Sequence, residues 1–279
     1  MNIAIIGVGL IGGSAALDLK KSPLFDKIYG VDENPKHQEK AKELGLVDDI
    51  IPLDEALEKA KIILLSIPVD AILKLAPYIL DRIEDHVVIE MGSTKTKILE
   101  SIADHPKRGR YLAAHPMAGT EYSGPKAAVT DLFKDKVMVY VEAFKTDEDA
   151  FEIGEKIINT LGMHSIFMNA KEHDMHTAYV SHISHLTSFA LALTVLEKEM
   201  SQGRIFELAG SGFESTVRLA KSSPDMWTPI FEQNRENVLE VLKEHIQQLQ
   251  NMHDNIENKD FNRLHKMIKK SNRIKRIIK

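Results

Sequence analysis

Two side chains capable of acid–base or nucleophilic chemistry, Ser93 and His115, each follow a predicted β-strand. Ser93 lies in the segment 91–95, His115 begins the segment 115–121, and a comparable segment, 66–69, follows an earlier strand. Because ligands of open parallel sheets bind beyond the carboxyl ends of the strands, we expect these segments to border one pocket. A serine and a histidine there suit a nucleophile pair, or a hydride-transfer site. The sequence has no nucleophile elbow, which favours the second interpretation.

A glycine loop near the start of the chain indicates what the hydride acceptor would be. Gly7, Gly9 and Gly12 have GxGxxG spacing between a predicted strand (3–6) and a predicted helix (11–20). In such loops the glycines allow a tight turn, close approach of a pyrophosphate and close helix–strand packing, and the helix N-terminus offers free N–H groups to the phosphates. The sequence therefore predicts a dinucleotide site. The predicted contacts are Gly7, Val8, Gly9, Leu10, Ile11 and Gly12 in the loop, and Ser66, Ile67 and Pro68 after the later strand.

The cofactor preference is predicted from Asp32, which lies 20 residues beyond Gly12 at the end of a second predicted strand (27–31). A carboxylate at this position bonds the adenosine ribose hydroxyls and repels a 2′-phosphate. We therefore expect NAD rather than NADP. The alternative interpretation of Asp32 is an ordinary turn residue at a strand end.

Short β-rich runs alternate with helical segments up to residue 168. The predicted strands are 3–6, 27–31, 62–67, 86–90, 111–114, 137–142 and 165–168, and the predicted helices among them include 11–20, 35–44 and 146–161. This alternation predicts a doubly wound α/β domain of the Rossmann type over residues 1–168, with a parallel sheet and helices on both faces.

The pattern changes after residue 169, where no further strand pattern occurs. Apolar residues recur at three- and four-residue spacing, and they predict one long amphipathic helix. These residues are Phe231, Val238, Leu242, Ile246, Leu249, Met252 and Ile256. Because such a stripe is too long to be buried on a small domain alone, we expect residues 169–279 to form an all-helical domain that dimerises. The alternative is a helix packed wholly within one chain. The basic tail after Asp260 is interpreted as a solvated helix end.

Four histidines, His173, His176, His182 and His185, share one predicted helix and raise the question of a metal site. At about 100° per residue, the first two point roughly opposite to the last two and cannot close on one ion. We therefore expect no metal.

Composition limits the remaining classes of function. The chain has 279 residues and no cysteine, which excludes disulfides, thiolate catalysis and cysteine-based metal sites. Its formal net charge of −5 argues against nucleic-acid binding. No apolar run approaches the roughly 20 residues that span a bilayer. We expect a cytoplasmic protein without a membrane or nucleic-acid partner.

Five segments of the sequence resemble prephenate dehydrogenases. They are GVGLIGGS (7–14), GSTK (92–95), HPMAGTEYSG (115–124), SHISHL (181–186) and GFESTVRLAKSSPDMW (212–227). The glycine segment is generic, whereas the third and fifth segments are specific, and the order is preserved over nearly the whole chain. The resemblance implies a Rossmann-type domain followed by a helical dimerisation domain. It also implies NAD-dependent oxidative decarboxylation of prephenate, or of its amino analogue arogenate, in tyrosine biosynthesis.

The resemblance also implies roles for particular residues. His115 would accept the proton of the substrate's C4 hydroxyl as hydride leaves C4, and Ser93 would hydrogen-bond the same hydroxyl. Arg218 would bind a substrate carboxylate through its planar guanidinium. Thr120 and Glu121 would belong to a loop that gates the pocket.

Further substrate contacts implied by the resemblance are His182 and His185, with His185 closer to the substrate side chain, and Trp227 beside Met226 at the pocket border. The chain departs from the pattern at Glu214-Ser215, where many relatives have a basic residue followed by Asp. That difference puts a family salt bridge across this loop, and the mode of inhibition by tyrosine, in doubt. There is no room for a C-terminal regulatory domain, so feedback by tyrosine would act at the active site.

Three alternatives remain open from the sequence. An arogenate or dual-specificity enzyme would share every motif, and the pocket for the substrate side chain would decide between them. A β-hydroxyacid dehydrogenase would have a catalytic lysine in the helical domain, and no matching lysine motif is present. A regulator that senses NAD(H) without turnover would need the glycine loop but not Ser93, His115 and Arg218 together.

Overall fold

Buried apolar runs form one eight-stranded sheet with the strand order β3-β2-β1-β4-β5-β6-β7-β8. The computed structural model describes residues 1–277. The strands are β1 (Asn2–Ile6), β2 (Lys27–Val31), β3 (Asp49–Ile50), β4 (Ile62–Leu65), β5 (Val87–Glu90), β6 (Tyr111–Pro116), β7 (Val137–Val141) and β8 (His164–Met168). β1, β4 and β5 are apolar on both faces because helices cover both sides of the sheet, as expected for central parallel strands. The doubly wound fold predicted from the sequence is confirmed.

The prediction of an all-parallel sheet is wrong at β7, which runs antiparallel to β6 with Ala113 opposite Val141 and Pro116 opposite Met138. A parallel neighbour requires a crossover that carries the chain back across the sheet, usually a helix. The segment between β6 and β7 contains only loops and a short 3-10 turn, Pro125–Ala127. The chain therefore enters β7 at the edge where β6 ends.

Helices cover the sheet on both sides. Those of the first part of the chain are α1 (Leu10–Leu19), α2 (Pro35–Glu43), α3 (Leu53–Lys59), α4 (Val69–Arg82), α5 (Thr96–Ser101) and α6 (Glu148–Thr160). After β8 the chain continues through α7 (Ala170–Thr177), a π turn (Ala178–His182), α8 (Ile183–Gln202), α9 (Ser211–Val217) and α10 (Pro224–Gln233). One apolar core lies on each face of the sheet, and the second includes Trp227 and Ile230 of α10.

The chain divides into two compact units, residues 1–234 and 235–279. In the second unit, α11 (Arg235–Glu257) is joined to α12 (Phe261–Ser271), whose first turn is capped by the Asp260 side chain. The expectation of one helix containing both Phe231 and Ile256 is wrong, because α10 ends before Asn234 and α11 begins after it. The domain boundary placed at residue 168 stays a prediction.

The helical run Ala170–Gln202, which passes through the π turn, is long and apolar enough to span a membrane by length and composition. The expectation that no segment reaches this length is therefore wrong. One such helix is weak evidence for a membrane protein, because helices of soluble proteins pass the same test. The start of this run carries the buried polar residues His173 and Asp174, which belong to the candidate active site.

Candidate active site

The carboxyl ends of β1, β4 and β5 lie at one edge of the sheet, and His115 lies beside them near the end of β6. This parallel arrangement places the glycine loop, Ser66 and Ser93 at the same edge as the histidine. The strand register thus agrees with the expectation that these segments border one region. His115 itself is the fifth residue of β6 and pairs with Val139 of β7, so its backbone is fixed by the neighbouring strand.

The glycine loop has the geometry required for a dinucleotide phosphate site. Gly7 has φ of 92°, a conformation that favours glycine, and its N–H donates to the carbonyl of Val31 at 2.7 Å. A Cβ at Gly12 would overlap the carbonyl oxygen of Gly7, which explains the third glycine. A Cβ at Gly9 would meet no atom closer than Gly124 N at 3.9 Å, so this side of the loop is open for a ligand.

The N-terminus of α1 provides the donors that such a ligand needs. Gly9 occupies the N-cap position without a side-chain cap, and the first turn contains no acidic residue. Leu10 and Ile11 are partly exposed, and the free N–H groups of this turn together with the helix dipole suit an anion. The residues present therefore fit the pyrophosphate of a dinucleotide.

Ser66 and Ile67 contact the glycine loop, and the prediction that they and Pro68 contact the dinucleotide stays a prediction. The hydroxyl of Ser66 donates to the carbonyl of Gly7 at 2.8 Å, which ties the end of β4 to the glycine turn. The side chain of Ile67 packs against Gly7, and Pro68 is exposed at the N-cap of α4.

Asp32 is anchored to the glycine loop and to the start of α2 through its two carboxylate oxygens. Oδ2 accepts the N–H of Val8 at 3.2 Å, and Oδ1 accepts the N–H of Asn34 at 2.9 Å. His37 Nδ1 lies 3.4 Å from Oδ1. Because an ionised carboxylate has about four acceptor positions, two remain for ribose hydroxyls.

The acid–base part of the site is a chain of three side chains, of which the sequence predicted only the first. His115 Nδ1 lies 2.8 Å from His173 Nε2, and His173 Nδ1 lies 2.8 Å from Asp174 Oδ1. His173 and Asp174 are 1% and 2% exposed. The Asp174 carboxylate also accepts the backbone N–H groups of Lys95 and Thr96, at 2.9 and 2.8 Å. Asp174 thus joins α7 to the first residues of α5.

His173 and His182 do not face opposite ways, contrary to the expectation from their spacing. His173 lies 2.8 Å from His115, and the Asn234 amide contacts both the Asp174 carbonyl and His182 Nδ1, so the two histidines lie on the same side. The reason is the π turn Ala178–His182 between α7 and α8. A π turn inserts a residue into the helix and rotates the side chains of α8 by about 100° relative to those of α7. The expected angles hold only for an uninterrupted α-helix.

Burial keeps the ring of His115 neutral. Desolvation lowers the pKa of His115 well below its usual 6.5, and the nearby His173, Lys95 and His182 act in the same direction. A neutral imidazole near pH 7 is the form that can accept a proton.

Ser93 lies in the loop between β5 and α5 and is partly exposed. Within residues 1–277, no hydrogen bond joins its hydroxyl to His115. Its neighbours hold the loop in place. Thr94 Oγ1 donates to Gln233 Oε1 at 2.7 Å, and the buried Lys95 Nζ lies 2.7 Å from both carboxylate oxygens of Glu90.

The proposed carboxylate-binding arginine is paired within the protein. Arg218 Nη1 donates to Glu121 Oε2 at 2.5 Å, although 97 residues separate them. A backbone hydrogen bond within Glu121, followed by the hydrogen bond and charge of Arg218, lowers the pKa of Glu121. Thr120 is exposed, and its hydroxyl accepts the N–H of Tyr122 at 3.2 Å.

The loop that carries Glu121 also contacts the cofactor helix. Gly124 faces Gly9, and the N–H of Val129 donates to Ser14 Oγ at 3.0 Å. The same segment therefore borders the glycine loop and supplies the partner of Arg218.

His182, His185 and Trp227 form an aromatic cluster. The ring of His185 stacks on Trp227 with centroids 3.5 Å apart, and His182 meets the same indole edge-on at 5.8 Å. Asn234 Nδ2 donates to His182 Nδ1 at 3.2 Å. Burial lowers the pKa of His182 to about 4 and also lowers that of His185, so both rings are neutral near pH 7. Positive charge in this region therefore comes from Arg218, whose field also lowers the pKa of His185.

Comparison with known proteins gives two family matches along the chain. Residues 15–167 match the prephenate dehydrogenase nucleotide-binding domain, and residues 169–270 match the prephenate dehydrogenase dimerization domain. The chain is 29% identical to the prephenate dehydrogenase of Bacillus subtilis, over 96% of this chain and 73% of that protein.

Two solved structures are similar over nearly the full length. A prephenate dehydrogenase from A. aeolicus, in complex with hydroxyphenyl propionate and NAD+, has a TM-score of 0.89 and 30% identity, covering 99% of this chain and 97% of that one. An arogenate dehydrogenase from Synechocystis has a TM-score of 0.76 and 28% identity, covering 99% of both chains.

Proposed function

Because the chain belongs to the prephenate dehydrogenase family and is an NAD-dependent dehydrogenase, we propose that it converts prephenate into 4-hydroxyphenylpyruvate in tyrosine biosynthesis. The observation that carries the proposal is His115, a neutral base at the sheet edge that also holds the glycine loop. Arg218, paired with Glu121 in the loop that follows His115, adds a cation. A dinucleotide site, a base and a carboxylate receptor are the parts that this reaction requires.

The base has a defined task in the reaction. NAD, when bound, accepts the hydride that leaves C4 of the substrate. His115 takes the proton of the C4 hydroxyl at the same time, which places the developing charge on the imidazole. The bond from the ring to its carboxylate then breaks, carbon dioxide leaves, and the electron pair makes the ring aromatic. The proton can return from His115 to the phenolate oxygen, so the enzyme is regenerated.

Ser93 and Arg218 hold the substrate in this proposal. Ser93 is assigned a hydrogen bond to the C4 hydroxyl, because its loop is fixed through Thr94 and Lys95, the two residues before α5. Arg218 binds a substrate carboxylate in two-point geometry. Glu121 must release Arg218 first, and Thr120 belongs to the same loop, which supports their role as a gate.

The second candidate substrate is arogenate, which carries an amino acid in place of the ketoacid. Neutral His182 and His185 rings favour neither an anion nor a cation by charge, and His185 Nδ1 already donates to the carbonyl of Ser181 at 3.0 Å. His185 Nε2 is then left as a hydrogen-bond acceptor, which an ammonium group would satisfy. Trp227 would border either side chain.

A homodimer in the cytoplasm is also part of the proposal. The match to a dimerization domain supports it, and α8 exposes large apolar side chains that a partner would cover, namely Leu193, Leu196 and Met200.

Tyrosine, a relative of the product, would compete with substrate for Arg218. Inhibition that leaves the apparent affinity for substrate unchanged would contradict this site of action.

Turnover of purified protein with NAD and either prephenate or arogenate tests the proposal, with the ultraviolet absorbance of NADH as the signal. We expect growth of NADH with at least prephenate, and a kcat lower by about 10²–10⁴-fold in His115→Asn. Fluorescence titration with NADH should give equal affinity for wild type and variant. A flat trace with both substrates, together with normal NADH binding, would indicate an NAD(H)-sensing protein instead.

A further inference from the structure

The buried chain His115–His173–Asp174 contains two residues, His173 and Asp174, that make no contact required by the proposed reaction. Both contacts in the chain measure 2.8 Å, and both residues are almost completely buried. His173 lies on α7, whereas His115 lies on β6, so the contact joins the helical region to the sheet. A buried polar chain of this kind requires a consistent assignment of its protons.

The positions of the protons are determined by the Asp174 carboxylate, the acceptor at the end of this row of three side chains. Burial alone would raise the pKa of Asp174, but hydrogen bonds from His173 and Thr96 outweigh it and hold the pKa below its usual value. An ionised carboxylate only accepts hydrogen bonds, so the proton of neutral His173 must lie on Nδ1. His173 Nε2 is then an acceptor, and His115 must carry its proton on Nδ1. His115 Nε2 is left without a proton.

We propose that His173 and Asp174 are positioning residues that fix the His115 tautomer and receive the positive charge formed when His115 Nε2 takes the substrate proton. This inference rests on the proposed function. The chain also explains why two residues outside the substrate contacts are buried polar groups, in a region where apolar side chains would pack at lower cost.

The proton balance is closed within the three residues. When His115 Nε2 bonds the proton of the C4 hydroxyl, its Nδ1 proton moves to His173 Nε2, and no bond between heavy atoms of the protein changes. The positive charge then lies on His173, whose Nδ1 is 2.8 Å from the Asp174 carboxylate. Return of the proton to the product oxygen reverses both movements, so no external acid or base is consumed.

Other charged groups near these three residues favour placing the positive charge on His173. Lys95 lies near both histidines and disfavours a positive charge on either, although its ammonium is paired with Glu90. His182 acts on His115 in the same sense, and His176 acts on His173. Asp174 is the group that raises the pKa of His173, against the larger effect of burial. His173 is therefore better able than His115 to hold the charge.

Histidine tautomers can be measured without substrate, from the ring nitrogen shifts of protein labelled with ¹⁵N-histidine. His115→Asn and His173→Gln assign the two rings by loss of their signals. We expect the proton of both rings on Nδ1 in the wild-type protein with NADH bound. A His115 ring protonated on Nε2 would overturn the inference even if the enzyme turns over prephenate.

Kinetics of Asp174→Asn and His173→Gln test the second half of the inference. Each variant should lower kcat by about 10–10²-fold with little change in KM, because the base is weakened while the substrate contacts remain. Removal of the Asp174 charge makes protonation of the histidine pair harder, so the acid limb of kcat/KM should move to lower pH. A purely structural role would reduce the rate without moving that limb.

Lys171→Gln is the matched control, because Lys171 lies on the same helix but is exposed. It should leave kcat, the pH profile and the tautomers unchanged. NADH binding identifies any variant that has failed to fold, and the wild-type tautomer measurement stands independently of all variants. If the wild type turns over neither substrate, the proposed function fails, whereas an unshifted acid limb in both folded variants contradicts the relay alone.

Discussion

Arg218 and Glu121 form an ion pair with an Nη1–Oε2 distance of 2.5 Å. Arg218 follows α9, whereas Glu121 lies in the loop after β6. The side chain of Arg218 is 49% exposed, whereas that of Glu121 is 9% exposed, so the pair is open to solvent on the side of the guanidinium. In the proposed function its significance lies in competition, because a substrate carboxylate would have to replace Glu121 to gain the two-point contact with Arg218.

Arg218→Lys should raise the KM for prephenate by about 10–100-fold while kcat stays within a few-fold, because lysine keeps the charge but loses the planar two-point hydrogen bonding. Glu121→Gln should act in the opposite direction. It removes the competing charge and should lower the dissociation constant of substrate by a few-fold. Steady-state kinetics and product titration measure both effects.

Lys221→Gln serves as the control for Arg218, since Lys221 is an exposed cation in the same turn. It should change KM much less than Arg218→Lys does. An unchanged KM in Arg218→Lys would contradict the specific contact. Equal changes of KM in Arg218→Lys and Lys221→Gln would indicate a general effect of positive charge instead.

Asp32→Ser should reduce the preference for NAD over NADP by about one to two orders of magnitude, because the carboxylate that repels a 2′-phosphate is removed. His37 and Lys36 would then lie beside the phosphate. The measurement is the ratio of NADH to NADPH dissociation constants. Glu33→Gln, an exposed neighbouring acid, should leave the ratio unchanged. A wild type that binds both cofactors equally would show that Asp32 does not discriminate.

The cofactor half of the site was predictable because its determinants are local in sequence. One βαβ unit contains the first strand, the glycine loop and Asp32. Gly7 is required for its positive φ, and Gly12 because a Cβ there would overlap the carbonyl oxygen of Gly7. The anchoring of Ser66 to Gly7 could not be predicted as such, because it depends on β4 lying beside β1.

The acid–base half was predictable only in part. His115 is predicted by its place after a strand, but the expectation that His173 points away from His182 is wrong because a π turn is not visible in apolar spacing. The reversal at β7 was missed for a related reason. The segment after β6 was not recognised as lacking a crossover helix. In both places a tertiary arrangement decides what the local pattern leaves open.

Lys95→Met should lower the free energy of unfolding by about 3–5 kcal/mol, because it leaves the fully buried Glu90 carboxylate without its partner. Burial raises the pKa of Glu90 and lowers that of Lys95. The charge and hydrogen bond of each residue oppose the effect of burial on its partner. The double variant Glu90→Gln/Lys95→Met should lose less than Lys95→Met alone, since no buried charge remains. Urea denaturation measures both.

The exposed pair Lys61–Asp85 provides the comparison for that experiment, with side chains 60% and 73% exposed. Lys61→Met should change the free energy of unfolding far less than Lys95→Met does, because solvent screens the exposed pair. Equal losses from Lys61→Met and Lys95→Met, or a double variant less stable than Lys95→Met, would show that the buried pair is not coupled as its geometry indicates.

His182→Gln should flatten the loss of stability in acid. Burial lowers the pKa of His182 from 6.5 to about 4, so between these values the unfolded chain binds a proton that the folded protein does not. The contribution is complete above the unfolded pKa and is lost as pH falls towards about 4, with a total of about 3 kcal/mol.

Urea denaturation from pH 7.5 down to about pH 4.5 should show a shallower decline for the variant. Carboxylates contribute equally to both proteins, and the exposed His176→Gln should follow the wild type. Parallel curves for wild type and His182→Gln would mean that His182 is protonated in the folded protein, which its burial and its bond from Asn234 argue against.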